Sequence, residues 1–162
     1  MPLQIVDSHE PLDEKQIADL ERKIGYGLPE EYRAFLKKHN GGYAEGENAF
    51  RYKHERGPYT DSRINHLFPV TNEFGSLAEQ YLRFSREGRI PKKLLPFAND
   101  AFGNLICISL AGKDRGAVYF WDHENEPDEG EKEFHNIHLI ADTFAEFVSG
   151  LVAPETLRNR HR

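Results

Sequence analysis

The densest group of chemistry-bearing side chains is the run Asp122-His123-Glu124-Asn125-Glu126-Pro127-Asp128-Glu129-Gly130-Glu131-Lys132-Glu133, with seven carboxylates and one lysine in twelve residues. Such a run raises a negative field that steers a basic partner and speeds encounter. Nuclease clefts are basic because they hold phosphate, so this segment has the charge to occupy one as a nucleic-acid mimic. The same composition also describes a solvated hairpin loop kept soluble by its charge. A calcium loop is not indicated, because the Asp-x-Asp-x-Asp-Gly spacing and the closing glutamate are missing. Asp122, His123, His135 and His138 raise a metal question across neighbouring strands. His135 and His138 lie three apart, however, so in a strand they point to opposite faces, and zinc needs convergent ligands.

Nucleophilic chemistry has no better support. Cys107 sits within Leu105-Ile106-Cys107-Ile108, the setting of a buried apolar side chain; reactive thiols need polar, partly exposed surroundings. Gly112-Lys113 resembles the end of a phosphate loop but lacks the upstream glycine and the following Ser or Thr, and a turn accounts for it. No Gly-x-Ser-x-Gly elbow and no His-Glu-x-x-His helix is present. An enzyme assembled from residues distant in sequence stays open, since triads are spatial. It would require a deep pocket with converging titratable groups. The expectation is a chain with no catalytic site, no metal and no cofactor.

A second candidate surface is the polar stretch 43–63, with Gly46, Gly57 and Pro58 and no sustained period. It reads as a long connection, either functional or partly mobile. Tyr43, Phe50, Tyr52 and Tyr59 lie there among charges of both signs. That mixture suits an adaptable contact surface, or the rings fold back onto the domain edge. The candidate partner-binding residues are therefore Asp122, Glu124, Glu126, Asp128, Glu129 and Glu131, together with Tyr43, Glu45, Glu47, Tyr52 and Tyr59.

The elements that must position these segments are legible in part. Asp13 and Gln16 have capping-box spacing before Ile17, Leu20 and Ile24, which predicts a helix over 13–24 ended by Gly25 and Gly27. Pro29 with Glu30 and Glu31 opens a second helix, with Tyr32, Phe35, Leu36 and His39 on one stripe and Asn40-Gly41-Gly42 as a left-handed stop. Ile64 to Val70 reads as a short strand. Ser76 and Glu79 cap a helix carrying Leu77, Tyr81 and Phe84. Pro91 and Pro96 bracket Leu94-Leu95, and residues 99–103 form a turn. Leu105 to Leu110 and Ala117 to Trp121 read as central strands covered on both faces, joined by a hairpin connection over 111–116. A final strand is expected with Ile137, Leu139 and Ala141 alternating against His138 and Ile140. Thr143 and Glu146 then cap a helix with Phe144, Phe147, Val148 and Leu151 inward, and the basic tail from Arg158 frays.

The chain has 162 residues, 38% apolar and 30% charged, with eleven Phe and seven Tyr. One domain with a self-sufficient core fits this length, its core at about 13–152 and its tail at 153–162. The net charge of −6 argues against a general nucleic-acid binder and suits a basic partner. The single cysteine excludes an intrachain disulfide. Met1-Pro2-Leu3-Gln4 begins no basic-then-apolar leader, and no apolar run is long enough to span a bilayer. A cytoplasmic monomer that binds neither nucleic acid nor membrane is expected.

Three segments, taken in order and spacing, resemble the SUKH superfamily across roughly residues 13–150. They are Leu28-Pro29 with Tyr32, Phe35, Leu36 and Asn40-Gly41-Gly42; Leu95-Pro96-Phe97-Ala98 with Asp100, Gly103 and Asn104; and Gly116 with Val118-Tyr119-Phe120-Trp121-Asp122-His123-Glu124. The resemblance implies a single-domain α+β fold, an antiparallel sheet flanked by helices. It also implies a protein-binding module. Bacterial members are mostly immunity proteins that neutralise a toxin from the same locus, often a nuclease, and fungal relatives are regulatory interaction proteins in cell-wall synthesis. A cognate toxin is the expected partner, with a regulatory scaffold as the alternative. Leu28, Pro29, Asn40, Gly41, Gly42, Asp100, Gly103 and Trp121 carry the motifs and read as structural, since such residues are ordinary turn and core chemistry. The long 43–63 stretch and the acidic 122–133 segment depart from a compact member and leave partner identity open.

Overall fold

The structure, a computed structural model, describes residues 1–53, 59–128 and 134–158, with Lys53 and Tyr59 described by backbone alone. Helix α1 (Glu14–Ile24) begins where its sequence requires: Asp13 accepts from the Gln16 N–H while the Gln16 side chain accepts from the Asp13 N–H. It ends at Gly25, whose φ of 83° is left-handed and whose N–H closes on Glu21. Ile17, Leu20 and Ile24 form its buried stripe. Helix α2 (Glu30–Lys38) places Pro29 just before its first turn and buries Tyr32 and Leu36. Glu14 joins the two helices, with oxygens 2.6 Å from both Arg33 and Lys37.

Strands β1 (Gln4–Val6), β2 (Gly42–Glu45), β5 (His66–Leu67), β6 (Leu94–Asn99), β7 (Leu105–Ser109), β8 (Val118–Trp121) and β9 (Ile137–Ala141) form one sheet in the order β1-β2-β5-β6-β7-β8-β9. Every pairing in it is antiparallel. All five residues of β7 are buried, as an almost continuously apolar run demands. Strands β3 (Ala49–Lys53) and β4 (Tyr59–Arg63) form a separate antiparallel pair. Helices α3 (Leu77–Gln80), α4 (Phe144–Ser149) and α5 (Pro154–Arg158) complete the fold, an α+β arrangement with helices around a mainly antiparallel sheet.

Adjacent residues in a strand face opposite ways, and β8 shows what each face meets. Trp121 packs edge-on to Phe84 at 5.6 Å, in the π-helical turn Tyr81–Arg86 that continues α3. Phe120 faces Tyr52, stacked at 4.1 Å, and Phe50 at 6.0 Å. Phe50 in turn meets Phe147 of α4, which meets Phe97 of β6. The hairpin β3–β4 is therefore the lid on one face of the core.

Several expectations need correction. The stretch 43–63 is not an aperiodic connection but contains β2 and both strands of the hairpin, and Phe50 and Tyr52 turn inward to 3% and 7% exposure. Asn40-Gly41-Gly42 is no helix cap: α2 already ends at His39, whose φ of −121° is extended. Those glycines are required by crowding, because a Cβ on Gly41 would lie 2.6 Å from Pro69 and one on Gly42 would lie 2.5 Å from the Val6 carbonyl. In β9 the buried residue is His138, stacked on Tyr52 at 5.5 Å, while Leu139 is exposed. The supposed tail contains α5 with Leu157 buried, and β1 was not anticipated at all. Pro96 lies inside β6, at the point where its pairing with β7 slips. Residues 159–162 lie outside the described residues.

Candidate functional site: an acidic groove between the hairpin and the sheet

A cavity of about 700 Å³ opens where β4, the turn at residues 100–104, the segment after β8 and α5 meet. Its position follows from four local arrangements. The β3 backbone is tied to the segment before α5 by paired bonds between Ala49 and Val152, at 2.9 and 3.0 Å. The turn is fixed by Asp100, which is 3% exposed. Its Oδ1 accepts from the N–H groups of Phe102 and Asn104, and its Oδ2 accepts from Asn104 Nδ2 and Ser62 Oγ. The Ser62 bond ties the hairpin to the turn. Asp122 caps the 3₁₀ turn His123–Asn125, accepting from the Glu124 N–H at 3.0 Å and from Asn125 Nδ2.

His123 then reaches back so that its Nε2 donates to the Phe102 carbonyl at 2.7 Å. Gly103, at φ 88°, leaves room for that ring: a Cβ there would lie 3.3 Å from it. The Phe102 backbone is thus held at its N–H and at its carbonyl, and the residue is 74% exposed at the cavity rim.

The residues lining the cavity include the acidic Asp61, Asp100, Asp122 and Glu124 and the basic Arg63 and Arg158. Asp100 and Asp122 are engaged in the turns they hold, while Asp61 and Glu124 carry no side-chain hydrogen bond or ion pair to a described residue; Asp61 pairs with Arg51, on the hairpin face opposite Ser62 and Tyr52. Tyr52 forms part of the wall. Burial, and then Asp122, Asp100 and Asp61, push its hydroxyl above the ordinary value, against the bond to Thr60. Asn48 Oδ1 is shut off from solvent and has no partner among the described residues, while its Nδ2 donates to the carbonyls of Ala44 and Ile64. A smaller hollow shares Ala44, Asn48, Arg63 and Pro154 and continues towards Glu45.

The structure thus brings together Asp122, Glu124 and Tyr52, which come from two segments far apart in sequence. It separates others. Glu126 is held in a two-point ion pair with Arg89, at 2.9 and 3.0 Å, and that bond first of all keeps its carboxyl below the ordinary value. The same guanidinium lies 4.7 Å from the Phe84 ring centre and 5.6 Å from that of Trp121, so Glu126 serves the cover over Trp121. Asp128 is exposed, and Glu129 and Glu131 lie outside the described residues. Tyr43 stacks on His66 at 4.7 Å, away from the cavity lining. Glu47 is fixed by its backbone to Met1, and of Tyr59 only the backbone is described.

Among the motif residues, Asn40 is 3% exposed and links Glu10 to Val70, accepting from the Val70 N–H at 2.7 Å and donating to the Glu10 carbonyl. Leu28 and Trp121 are core. Burial pushes the Cys107 thiol well up, as an inert side chain requires. Among the described residues no group of His, Cys, Asp and Glu is arranged to hold a metal ion, and no helix is long and apolar enough to cross a membrane. Asp61, Phe102, Arg63 and Asn48 were not singled out by sequence. The signal for Phe102 was available, since it stands between Asp100 and Gly103 in a turn that leaves an aromatic nowhere to be buried.

An antiparallel sheet with helices around it and a Leu-Pro helix, Asp-Gly turn and Trp-Asp strand end in this order is the frame of a SUKH-type domain. The model of the SMI1 / KNR4 family (SUKH-1) matches residues 11–150, and the chain belongs to that family. It is 35% identical over 152 residues to the SPbeta prophage-derived uncharacterized protein YokK of Bacillus subtilis (strain 168), an alignment covering 85% of this chain and 73% of that protein.

Proposed function

We propose that this chain is a non-catalytic protein-binding module, and specifically an immunity protein that neutralises a cognate toxin by direct binding, monomeric and cytoplasmic. Family membership supports the binding role, because SUKH proteins are commonly immunity proteins in toxin systems. The observation that carries the reading is the groove itself: segments far apart in sequence converge there, and four acidic and two basic residues are among those that line it. Two of those carboxylates are held in turns, which suits a preformed surface rather than a reacting one. A nuclease toxin presents a basic cleft, and a net-acidic groove on a chain of net charge −6 complements it.

The test is co-expression with the product of the adjacent open reading frame. The proposal predicts that this product's C-terminal domain is toxic alone, is harmless with this chain, and co-purifies with it one to one. A product that is harmless alone and does not bind would remove the toxin reading and leave a regulatory scaffold with another partner.

A further inference from the structure

We propose that the pair Arg89–Glu126 is a latch: closed, it holds the segment after β8 against the π-helical turn and covers Trp121; open, it releases that segment. Its two halves come from distant parts of the chain. Gly88, at φ 86°, turns the backbone out of the π-helical turn Tyr81–Arg86, and Arg89 follows it. Such turns are rare and recur at functional sites. Glu126 is the first residue beyond the 3₁₀ turn His123–Asn125, which Asp122 caps. The guanidinium meets the carboxylate at two points, 2.9 and 3.0 Å, and lies over the rings of Phe84 and Trp121.

Three observations weigh against a permanently closed latch. First, both partners reach solvent, with 42% of the Arg89 side chain and 27% of the Glu126 side chain exposed, so the pair is screened and weak. Second, the Arg83 guanidinium lies 5.5 Å from the same Phe84 ring, so two cations share one ring, and Glu126 is the carboxylate paired with them among the described residues. Third, the closed form leaves a donor and an acceptor buried and unpaired, Trp121 Nε1 and Asn136 Oδ1. They stand where the chain leaves β8 and where it enters β9, the two ends of the segment that the latch holds. Water that reaches either atom supplies a hydrogen bond missing in the closed form, so hydration opposes closure. Opening exposes Trp121 and frees the Glu126 carboxylate, for which a basic partner then competes with Arg89. That last step rests on the protein-binding reading; the latch itself does not.

Trp121 is the one tryptophan of the chain, so its emission and its quenching by acrylamide report the latch in the full chain. In low salt the parent should emit as a buried indole. Glu126→Gln should shift the emission to the red and raise quenching about twofold, because a neutral amide gives up the charge-assisted bonds. About 1 M sodium chloride should do the same to the parent and nothing further to Glu126→Gln, while Asp128→Asn behaves as the parent. Equal emission from the parent and Glu126→Gln, or a salt response that survives in Glu126→Gln, would overturn the latch. For the partner step, Arg89→Gln should raise the association rate with the adjacent gene product about threefold by freeing Glu126. Lys113→Gln, which removes the same charge from an exposed turn, should raise it less. Equal rates for the two variants would overturn the partner step and leave the latch standing. A gene product that binds no form of the chain would remove the binding reading and the partner step with it, not the latch.

Discussion

Asp100 has its charge almost entirely out of solvent, and four hydrogen bonds from Phe102, Asn104 and Ser62 compensate it. Removing such an acceptor strands several buried donors, so Asp100→Ala should cost about 3 kcal/mol, against about 1 for Ser62→Ala, which leaves the other three bonds in place. Thermal or urea unfolding checks the ratio. Glu14 offers a pH test. Hydrogen bonds from Arg33 and then Lys37 hold its carboxyl at about 2, below its ordinary 4.5. A carboxyl depressed in the folded state stabilises above the unfolded value and loses that contribution as pH falls, so the α1–α2 tie is intact above about pH 5 and released between there and pH 2. An NMR titration should place the Glu14 midpoint near 2 in low salt and higher in strong salt, because the pair is solvent-exposed. A midpoint near 4.5 in low salt would show that the tie does not form. At this scale sequence reasoning identified Asp100 as a turn residue and Asp122 as acidic. It could not distinguish carboxylates engaged at home from free ones: Glu126 looks identical to Glu124 until Arg89, 37 residues away, is placed against it.

The hairpin β3–β4 is the element the sequence concealed. Its inward residues Phe50 and Tyr52 are separated by Arg51, and its second strand, Tyr59 to Arg63, is mostly polar because one side of it borders the groove rather than the core. A strand with so little apolar surface gives a weak period-two signal. The helices, by contrast, were legible because caps and stripes coincide: Asp13 with Gln16, and Thr143, which accepts from the Glu146 N–H. One tertiary cap was not, since Glu31 of α2 accepts from the Ala145 N–H of α4 at 2.6 Å. The glycines separate crowding from turn chemistry. Gly42→Ala would drive a Cβ to 2.5 Å from the Val6 carbonyl at φ 119° and should cost roughly 3 kcal/mol. Gly88→Ala meets nothing within 4 Å at φ 86° and should cost about 1. Equal costs in urea titrations would mean that Gly42 is only a turn and that β1 does not press on β2.

For the whole molecule, the antiparallel α+β fold was legible because β7, β8 and the hairpin between them announce a buried sheet interior; two of the three motif segments fall on β6, β8 and the turns beside them, and the third runs along α2 into β2. The groove was not legible as a place. Its walls come from residues near 50, 61, 101, 123 and 157, and only long-range pairing such as Ala49 with Val152 brings them together. What sequence did convey was its two ingredients, an acidic segment and an aromatic one. The proposed function makes this chain a stoichiometric binder, and the most direct test is to titrate it into a fixed amount of the adjacent gene product and measure the residual toxicity of that product. The predicted result is a linear fall to complete inhibition at one equivalent, with full activity recovered when the complex is dissociated. Inactivation by a small fraction of an equivalent, or activity that does not return after separation, would mean catalysis upon the toxin and would contradict the account.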